Sequence, residues 1–245
     1  MPAGFIRAIR LDRHSIPDFT IYPYSIPAIR SLERLKLHPA VTFLIGENGM
    51  GKSTIVEALA VRYGLNAEGG SRDFNFETRA THSDLHEHLT IERSAVYPSD
   101  FFFLRAESFY NVASYIDQTG ATPWYGDRSL HEQSHGQSFF TLMTTRLRGD
   151  GFYIFDEPEA ALSPQRQMSA LTLIDDLVRQ HSQLVIATHS PILMAYPDAV
   201  IYELCEDGIH ERKYEETQHF QVTRDFLTRH EKMLAVLLDR PLRRD

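Results

Sequence analysis

The chain has 245 residues, of which 42% are hydrophobic, so it is long and apolar enough to bury a core of its own. Its formal net charge is -8, which excludes a surface that is basic all over but leaves room for a local basic groove. We expect no membrane insertion, because no stretch approaches the roughly 18 apolar residues that cross a bilayer. The single cysteine, Cys205, predicts a buried free thiol and a reducing, cytoplasmic location.

Strand-like apolar runs alternate with helical patterns along the chain, and this alternation predicts an α/β fold. The runs cover residues 5–11, 41–45, 88–93, 100–104, 152–155, 184–188 and 199–205.

The first motif directly follows the strand-like run at 41–45. Residues 46–53 (GENGMGKS) match the full phosphate-binding loop pattern G-x-x-x-x-G-K-[ST]. Backbone N–H groups of such a turn point at phosphate oxygens, and the dipole of the next helix favours negative charge. We therefore predict a nucleoside triphosphate site in which Lys52 reaches the β and γ phosphates and Ser53 binds Mg²⁺. The predicted nucleotide contacts in this segment are Gly46, Asn48, Gly49, Gly51, Lys52, Ser53 and Thr54.

A histidine cluster follows, with His82, His86 and His88 at short spacing. Clustered imidazoles are one sign of a zinc site. The other interpretation, histidines at the surface before a strand, is favoured because no cysteine accompanies them and the spacing fits no standard structural site.

Two segments in the second half carry polar groups at the ends of regular elements. Residues 134–138 (SHGQS) precede a helical pattern, and a serine and a glycine at a helix N-terminus indicate an anion site. Residues 151–158 (GFYIFDEP) read as an apolar strand that ends in two acids. Beside a phosphate loop, Asp156 is predicted to bind Mg²⁺ and Glu157 to act as general base toward water.

Two amphipathic helices are predicted beyond this strand. The first begins at Ser163 and Pro164, which suit a cap and a first helical position. Its apolar face is expected to cover the sheet and consists of Met168, Leu171, Ile174, Leu177 and Val178. The second spans residues 222–238, with a predicted buried set of Phe226, Leu227, Leu234, Leu237 and Leu238.

The order of these motifs resembles that of the ATP-binding cassette (ABC) ATPases: phosphate loop, serine-glycine-glutamine signature, Asp-Glu strand and then His189 after another strand. Within that superfamily the chain is most similar to the compact branch of AAA-type or ABC-like ATPases related to SMC and recombination-repair heads. Residues 53–60 resemble the STLLEAIA pattern of that branch, and residues 134–138 resemble its SHGES signature.

The resemblance covers nearly the whole chain and implies its organisation. The expected fold is an α/β P-loop NTPase with an ABC-ATPase-like mixed sheet, flanking helices and a small helical lobe. Residues 1–245 would form one domain, with the helical and signature lobe inserted at roughly 65–150.

Roles for further residues also come from the resemblance. His189 would sense the γ phosphate, and residues 159–163 would form the D-loop. Ser134, Gly136 and Gln137 would close the nucleotide site of a second copy, which implies a homodimer that forms around ATP. His135 replaces the first glycine of the usual signature.

No clear glutamine loop is present, and Glu107 stands where that loop would lie. We predict that Glu107 takes the place of the glutamine near Mg²⁺ and water, against the alternative of an ordinary exposed acid. Tyr22 and Tyr24 are candidates for stacking on adenine or for the core. Arg13 is a further candidate for a nucleotide contact.

The expected activity is Mg²⁺-dependent ATP hydrolysis that drives a conformational change in a protein partner, with DNA contact left open. DNA repair and anti-phage defence are the expected settings. The alternative is the nucleotide-binding subunit of an ABC transporter.

Overall fold

The computed structural model describes residues 4–70, 83–118 and 135–240. It contains two sheets with helices between and around them, which confirms the α/β prediction. The strands are β1 (Ile6–Leu11), β2 (Arg34–Lys36), β3 (Val41–Gly46), β4 (Leu89–Arg93), β5 (Asp100–Arg105), β6 (Gly151–Asp156), β7 (Gln183–Ala187), β8 (Ala199–Cys205) and β9 (Gly208–Arg212). The α-helices are α1 (Pro27–Ser31), α2 (Lys52–Tyr63), α3 (Phe109–Gln118), α4 (His135–Arg146), α5 (Pro164–Arg179) and α6 (Gln218–Leu237).

The larger sheet has the order β5-β6-β7-β3-β8-β9, and all its neighbours run parallel except β8 and β9, which form an antiparallel pair. Every residue of β3 and β6 is buried, as expected for central strands of a parallel sheet that is covered on both faces. The register pairs Arg105 with Asp156, Asp156 with Ala187 and Ala187 with Leu44. The carboxyl ends of four strands therefore meet at one edge, where ligands of open α/β sheets bind.

Two hydrophobic cores lie on the two faces of this sheet. Alternate residues of β6 enter different cores, Phe152 and Ile154 in one, Tyr153 and Phe155 in the other. The first core also holds α2 and the smaller antiparallel sheet, which has the order β2-β1-β4. The second core holds residues of α3, α4 and α5. Helices α3 and α4 lie within residues 65–150, the segment predicted as an inserted lobe, and both that lobe and the single-domain boundaries stay predictions.

Helix α5 follows its sequence prediction in all but one residue. Ser163 caps it by accepting a hydrogen bond from the Arg166 N–H at 3.4 Å, and Pro164 is the first helical residue. Ala170, Ile174 and Leu177 are buried at helical spacing. The prediction that Met168 is buried is wrong, since it is 55% exposed. It lies two residues from Ala170 and so projects from a different face.

Helix α6 exists where a helix was predicted, but the predicted buried set is wrong. No residue of α6 is buried. Each predicted core residue is exposed, namely Phe226, Leu227, Leu234, Leu237 and Leu238. The helical spacing of these residues correctly indicates an apolar stripe, but spacing alone does not place another element against that stripe.

One expectation from composition is corrected by the structure. Cys205 is half-buried rather than buried, because it ends β8 where the chain turns into β9, and burial raises the pKa of its thiol. Across residues 4–70, 83–118 and 135–240, no helix combines the length and apolarity that a membrane span requires.

Candidate functional site

The phosphate-loop sequence forms a tight turn between β3 and α2. Gly46 has φ +139°, and a side-chain Cβ there would lie 2.4 Å from the carbonyl oxygen of Leu204. Gly51 has φ +93° and caps α2. Both positions require glycine, because the left-handed region and the close backbone contact exclude a side chain. Asn48 and Gly49 lie at the exposed tip of the loop, and a Cβ at Gly49 would meet no atom within 4 Å.

Lys52 lies across this loop and is only 3% exposed. Its Nζ donates hydrogen bonds to the carbonyl oxygens of Gly46 at 2.9 Å and Glu47 at 3.1 Å. Burial lowers the pKa of Lys52, and the nearby carboxylates of Glu157 and Asp156 oppose that shift. The ammonium group is thus held by neutral acceptors. A negatively charged phosphate oxygen would take their place, because it accepts a stronger hydrogen bond.

Ser53 and Asp156 join the loop to the strand that ends in two acids. The Ser53 Oγ donates a hydrogen bond to Asp156 Oδ1 at 2.9 Å. Asp156 is 4% exposed, and burial raises its pKa to about 6, against the opposing effect of Arg105.

A hydroxyl and one carboxylate are hard oxygen donors that fit Mg²⁺ when phosphates and water complete its shell. The described residues contain no group of three or more His, Cys, Asp or Glu side chains arranged to hold a metal ion.

Arg105 is a site residue that the sequence prediction missed. Its guanidinium donates to Glu57 Oε2 at 2.8 Å and to Glu107 Oε2 at 3.4 Å, and its Nε lies 3.4 Å from Asp156 Oδ2. Its position follows from the fold, because it is the register neighbour of Asp156 on the adjacent parallel strand. The sequence feature that could have identified Arg105 is a basic residue at the end of the strand that precedes Glu107.

Glu107 itself is mostly solvent-exposed, with 83% of its side chain accessible. It borders a cavity of about 250 Å³ that is also lined by Ser53, Asp156 and Glu157. Arg105 contacts both Asp156 and Glu107 and so lies between the two carboxylates. Its predicted role near Mg²⁺ stays a prediction.

Glu157 adopts a left-handed backbone conformation, with φ +49°, directly after β6. Its N–H donates to the carbonyl oxygen of Ala187 at 2.9 Å, and this bond holds the turn against β7. The side chain is 41% exposed, and Oε1 lies 3.6 Å from the Nε2 of His189. A non-glycine residue with this conformation is strained, and such strain concentrates at functional sites.

His189 lies between acids and a second imidazole. Its backbone N–H donates to Glu159 Oε1 at 2.5 Å, and its Nδ1 shares a 3.1 Å hydrogen bond with the Nε2 of His219. Burial and the Lys52 ammonium lower the pKa of His189, so its imidazole is neutral at pH 7. The sequence prediction missed His219, because nothing local in the sequence connects the start of α6 with the loop after β7.

The signature segment is described from His135 onward, where α4 begins, and Ser134 lies outside the described residues. Gly136 packs tightly on the turn after Glu157, since a Cβ there would lie 2.6 Å from the Ala161 carbonyl oxygen. Its own carbonyl accepts a hydrogen bond from Arg166. Gln137 is exposed. The start of α4 is therefore fixed to the segment that follows the two acids.

Comparison with known proteins agrees with this geometry. Residues 125–195 match the family described as "AAA domain, putative AbiEii toxin, Type IV TA system", and this range holds Asp156, Glu157 and His189. A curated relative is the energy-coupling factor transporter ATP-binding protein EcfA2 of Mycoplasma mobile, 31% identical over 103 residues. That match covers 41% of this chain and about a third, 33%, of the relative. Parts of the chain are thus similar to an AAA domain family and to a transporter ATP-binding protein.

Solved structures with similar folds include an SMC head domain and a part of an ABC transporter complex. The SMC head domain from Thermotoga maritima is 14% identical with a TM-score of 0.49, and the match covers 85% of this chain and 99% of that one. CbiO1 from Clostridium perfringens, part of the ABC transporter complex cbiONQ, is 15% identical with a TM-score of 0.49. That match covers 96% of this chain and 99% of CbiO1.

The structure places the two tyrosine candidates differently. Tyr24 is 1% exposed and packs edge-on against His88, so it belongs to the core. Tyr22 is 67% exposed and stays a candidate for stacking on adenine. Arg13 stacks on the Phe19 ring, with 4.6 Å between its Cζ and the ring centroid.

The zinc interpretation of the histidine cluster finds no support in the described part of the chain. His86 shares a hydrogen bond with the carbonyl oxygen of Ser83 at 3.1 Å, and His88 with the hydroxyl of Ser15 at 2.6 Å. His82 lies outside the described residues.

Proposed function

We propose that this domain binds ATP with Mg²⁺ and hydrolyses it at the carboxyl edge of the central sheet. The observation that carries the proposal is the 2.9 Å hydrogen bond between Ser53 and Asp156, two residues separated by 103 positions. It places the end of the phosphate loop beside the acid strand, which is the arrangement that Mg²⁺-dependent phosphoryl transfer requires.

Each residue has a separate task in this proposal. Lys52 and the loop residues Gly46, Asn48, Gly49, Gly51 and Thr54 hold the phosphates, mainly through backbone N–H groups. Ser53 and Asp156 hold Mg²⁺, which when bound supplies a Lewis acid at the phosphoryl oxygens. Glu157 orients the attacking water and accepts its proton, while His189 lies beside Glu157 to contact the γ phosphate.

The first experiment tests nucleotide binding directly. Lys52→Ala should lose most of the affinity for a fluorescent ATP analogue, because the variant lacks the cation that meets the phosphates. Lys232→Ala, which removes an exposed lysine of α6, is the matched control and should bind like wild type. Unchanged affinity in Lys52→Ala would refute the assignment of the phosphate loop.

We further propose that two copies close around ATP, with Ser134, Gly136 and Gln137 of one copy completing the site of the other. Support comes from the position of α4, whose first turn is fixed to the segment after the two acids. Lys52→Ala and Ser134→Arg should each be inactive alone. Mixed in equal amounts, they should recover about a quarter of wild-type activity, because random pairing leaves one intact site in half of the dimers. No recovery on mixing, with a wild-type rate per chain that is constant on dilution, would contradict the shared site.

The output of hydrolysis is proposed to be a conformational change in a protein partner within the cytoplasm, in DNA repair or anti-phage defence. The similarity to the transporter ATP-binding protein EcfA2 supports a second candidate, the ATP-binding subunit of a transporter. ATPase rates with and without DNA at two salt concentrations distinguish a DNA-engaged protein, because phosphate contacts make binding steeply salt-dependent. Co-purification with a membrane protein would favour the transporter subunit.

A further inference from the structure

Two imidazoles from distant parts of the chain meet beside the proposed general base. His189 follows β7, and His219 lies in the first turn of α6. Their ring centroids are 5.3 Å apart, and His189 Nδ1 and His219 Nε2 share a 3.1 Å hydrogen bond. We propose that His219 is a positioning residue that donates this hydrogen bond and so fixes His189 as the tautomer with its proton on Nε2. The tautomer of His189 does not depend on the proposed ATPase function, but its effect on catalysis rests on that function.

A shared hydrogen bond between two neutral imidazoles has only two arrangements. In the first, His189 donates from Nδ1, so that its Nε2 is a bare acceptor. In the second, His219 donates from Nε2, so that His189 carries its proton on the opposite nitrogen. Burial lowers the pKa of both rings, and the Lys52 ammonium acts in the same direction on both. The carboxylates that oppose these shifts are Glu157 for His189, and Glu203 and Glu47 for His219.

The free nitrogens of the pair decide between the two arrangements. His189 Nε2 is buried and lies 3.6 Å from the carboxylate oxygen Oε1 of Glu157. An ionised carboxylate only accepts hydrogen bonds, so it favours a proton on that nitrogen and repels a bare lone pair.

His219 Nδ1 is buried and has no hydrogen-bond partner among the residues that the structure describes. This nitrogen would be an unpaired N–H in the first arrangement and an unpaired lone pair in the second, and each loses one hydrogen bond to water. The carboxylate beside His189 Nε2 therefore decides the choice, in favour of donation from His219.

His219 is held in place by the capped start of α6. Thr217 is fully buried, and its Oγ accepts a hydrogen bond from the Phe220 N–H at 3.3 Å. The Gln218 N–H donates to Glu203 Oε1 on β8 at 3.3 Å. The donor ring is thus fixed to the central sheet rather than to the exposed part of the helix. His189 then presents an N–H toward Glu157 and the proposed position of the γ phosphate, where an oxygen acceptor needs a donor.

The test reads the tautomer without nucleotide. Protein labelled with ¹⁵N in histidine should show, in long-range ¹H–¹⁵N correlation spectra, the Nε2–H tautomer for His189, assigned by its loss in His189→Ala. His219→Phe should convert part of His189 to the Nδ1–H tautomer, because the variant loses the donor to Nδ1 while Glu157 still favours Nε2–H. His219→Gln should retain Nε2–H because its amide donates from a similar position. His230→Phe, in the exposed part of α6, is the matched control and should leave the spectrum of His189 unchanged.

Steady-state kinetics give the second readout. His219→Phe should lower kcat roughly tenfold, the rate equivalent of one lost hydrogen bond, with KM for ATP changed less than about twofold. His219→Gln should recover most of the rate. Adding His219→Phe to His189→Ala should cost nothing further, because His219 acts through His189.

The Nδ1–H tautomer in wild-type protein overturns the proposal, and that measurement needs no variant to fold. An unchanged tautomer in folded His219→Phe also overturns it. A wild-type protein without ATPase activity that still shows Nε2–H at His189 would refute the proposed function and leave this inference intact.

Discussion

The buried floor of the candidate site and its exposed rim differ in how firmly the fold places their residues. The floor consists of Lys52, Asp156 and Arg105, side chains with little exposed surface that contact strand ends or one another. The rim includes Glu107, an acid of similar chemistry to Asp156 but with most of its side chain in water. A buried charge needs partners, so its neighbours are fixed, whereas an exposed charge is solvated wherever it lies.

The largest expected effect concerns the floor. Asp156→Asn should reduce ATP turnover about 1000-fold, because it removes the negatively charged ligand of Mg²⁺. Removal of one preorganised electrostatic contact at a reacting group has an effect of this size. Turnover measured across a Mg²⁺ titration checks this. Activity that recovers fully at high Mg²⁺ would show that Asp156 contributes affinity alone, and wild-type activity throughout would remove it from the site.

Acid titration of the apoprotein's stability tests the burial of Asp156. Because burial raises the pKa of folded Asp156 to about 6, above its ordinary value of 3.8, the native state binds the proton more tightly. This stabilisation is complete below about pH 4 and is lost as the pH rises toward 6. The loss is about 3 kcal/mol as an upper estimate.

Urea unfolding at several pH values measures this contribution. Wild type should lose stability over that window relative to Asp156→Asn, which has no proton to release. Parallel pH profiles for the two proteins would contradict the burial of an ionisable group at this position.

Helices α5 and α6 show the same contrast between buried and exposed positions. Ile174→Ala should lower the free energy of unfolding by about 3 kcal/mol, since it leaves a cavity under a residue that is 1% exposed. Leu227→Ala on α6 should change it by less than about 0.5 kcal/mol, because the side chain is 69% exposed. Urea denaturation of the isolated protein compares the two. A large loss in Leu227→Ala would show that a second copy or another part of the chain covers the stripe.

The smallest effect is expected at the rim. Glu107→Gln should stay within about threefold of wild-type turnover, and Glu107→Ala should lose a further few-fold if an oxygen near Mg²⁺ and water matters there. Exposed Glu211→Ala serves as the matched control. Equal, wild-type rates in both Glu107 variants would identify it as an ordinary surface acid.

Elements and motifs can be predicted from the sequence where they consist of contiguous residues. The β3 strand, the glycine loop and α2 are contiguous, and so are β6 and its two acids, so period and spacing identify them without knowledge of the fold. Contacts between distant segments were not accessible in this way. Arg105 acquires its contact with Asp156 only when β5 pairs with β6, and His219 meets His189 only because β8 places the start of α6 beside the loop after β7. The prediction that the apolar stripe of α6 is buried is wrong for a related reason. The regular spacing of apolar residues does not specify which element covers them.

Glu157→Gln tests the central claim most directly, because it removes the proposed base while leaving Lys52, Ser53 and Asp156 in place. The variant should bind ATP with wild-type affinity in equilibrium titrations and hydrolyse it at least about 100-fold more slowly in single-turnover assays, the usual contribution of a general base. Glu211→Gln should behave as wild type. Single-turnover hydrolysis near the wild-type rate in Glu157→Gln, with binding intact, would contradict the proposed chemistry at this site.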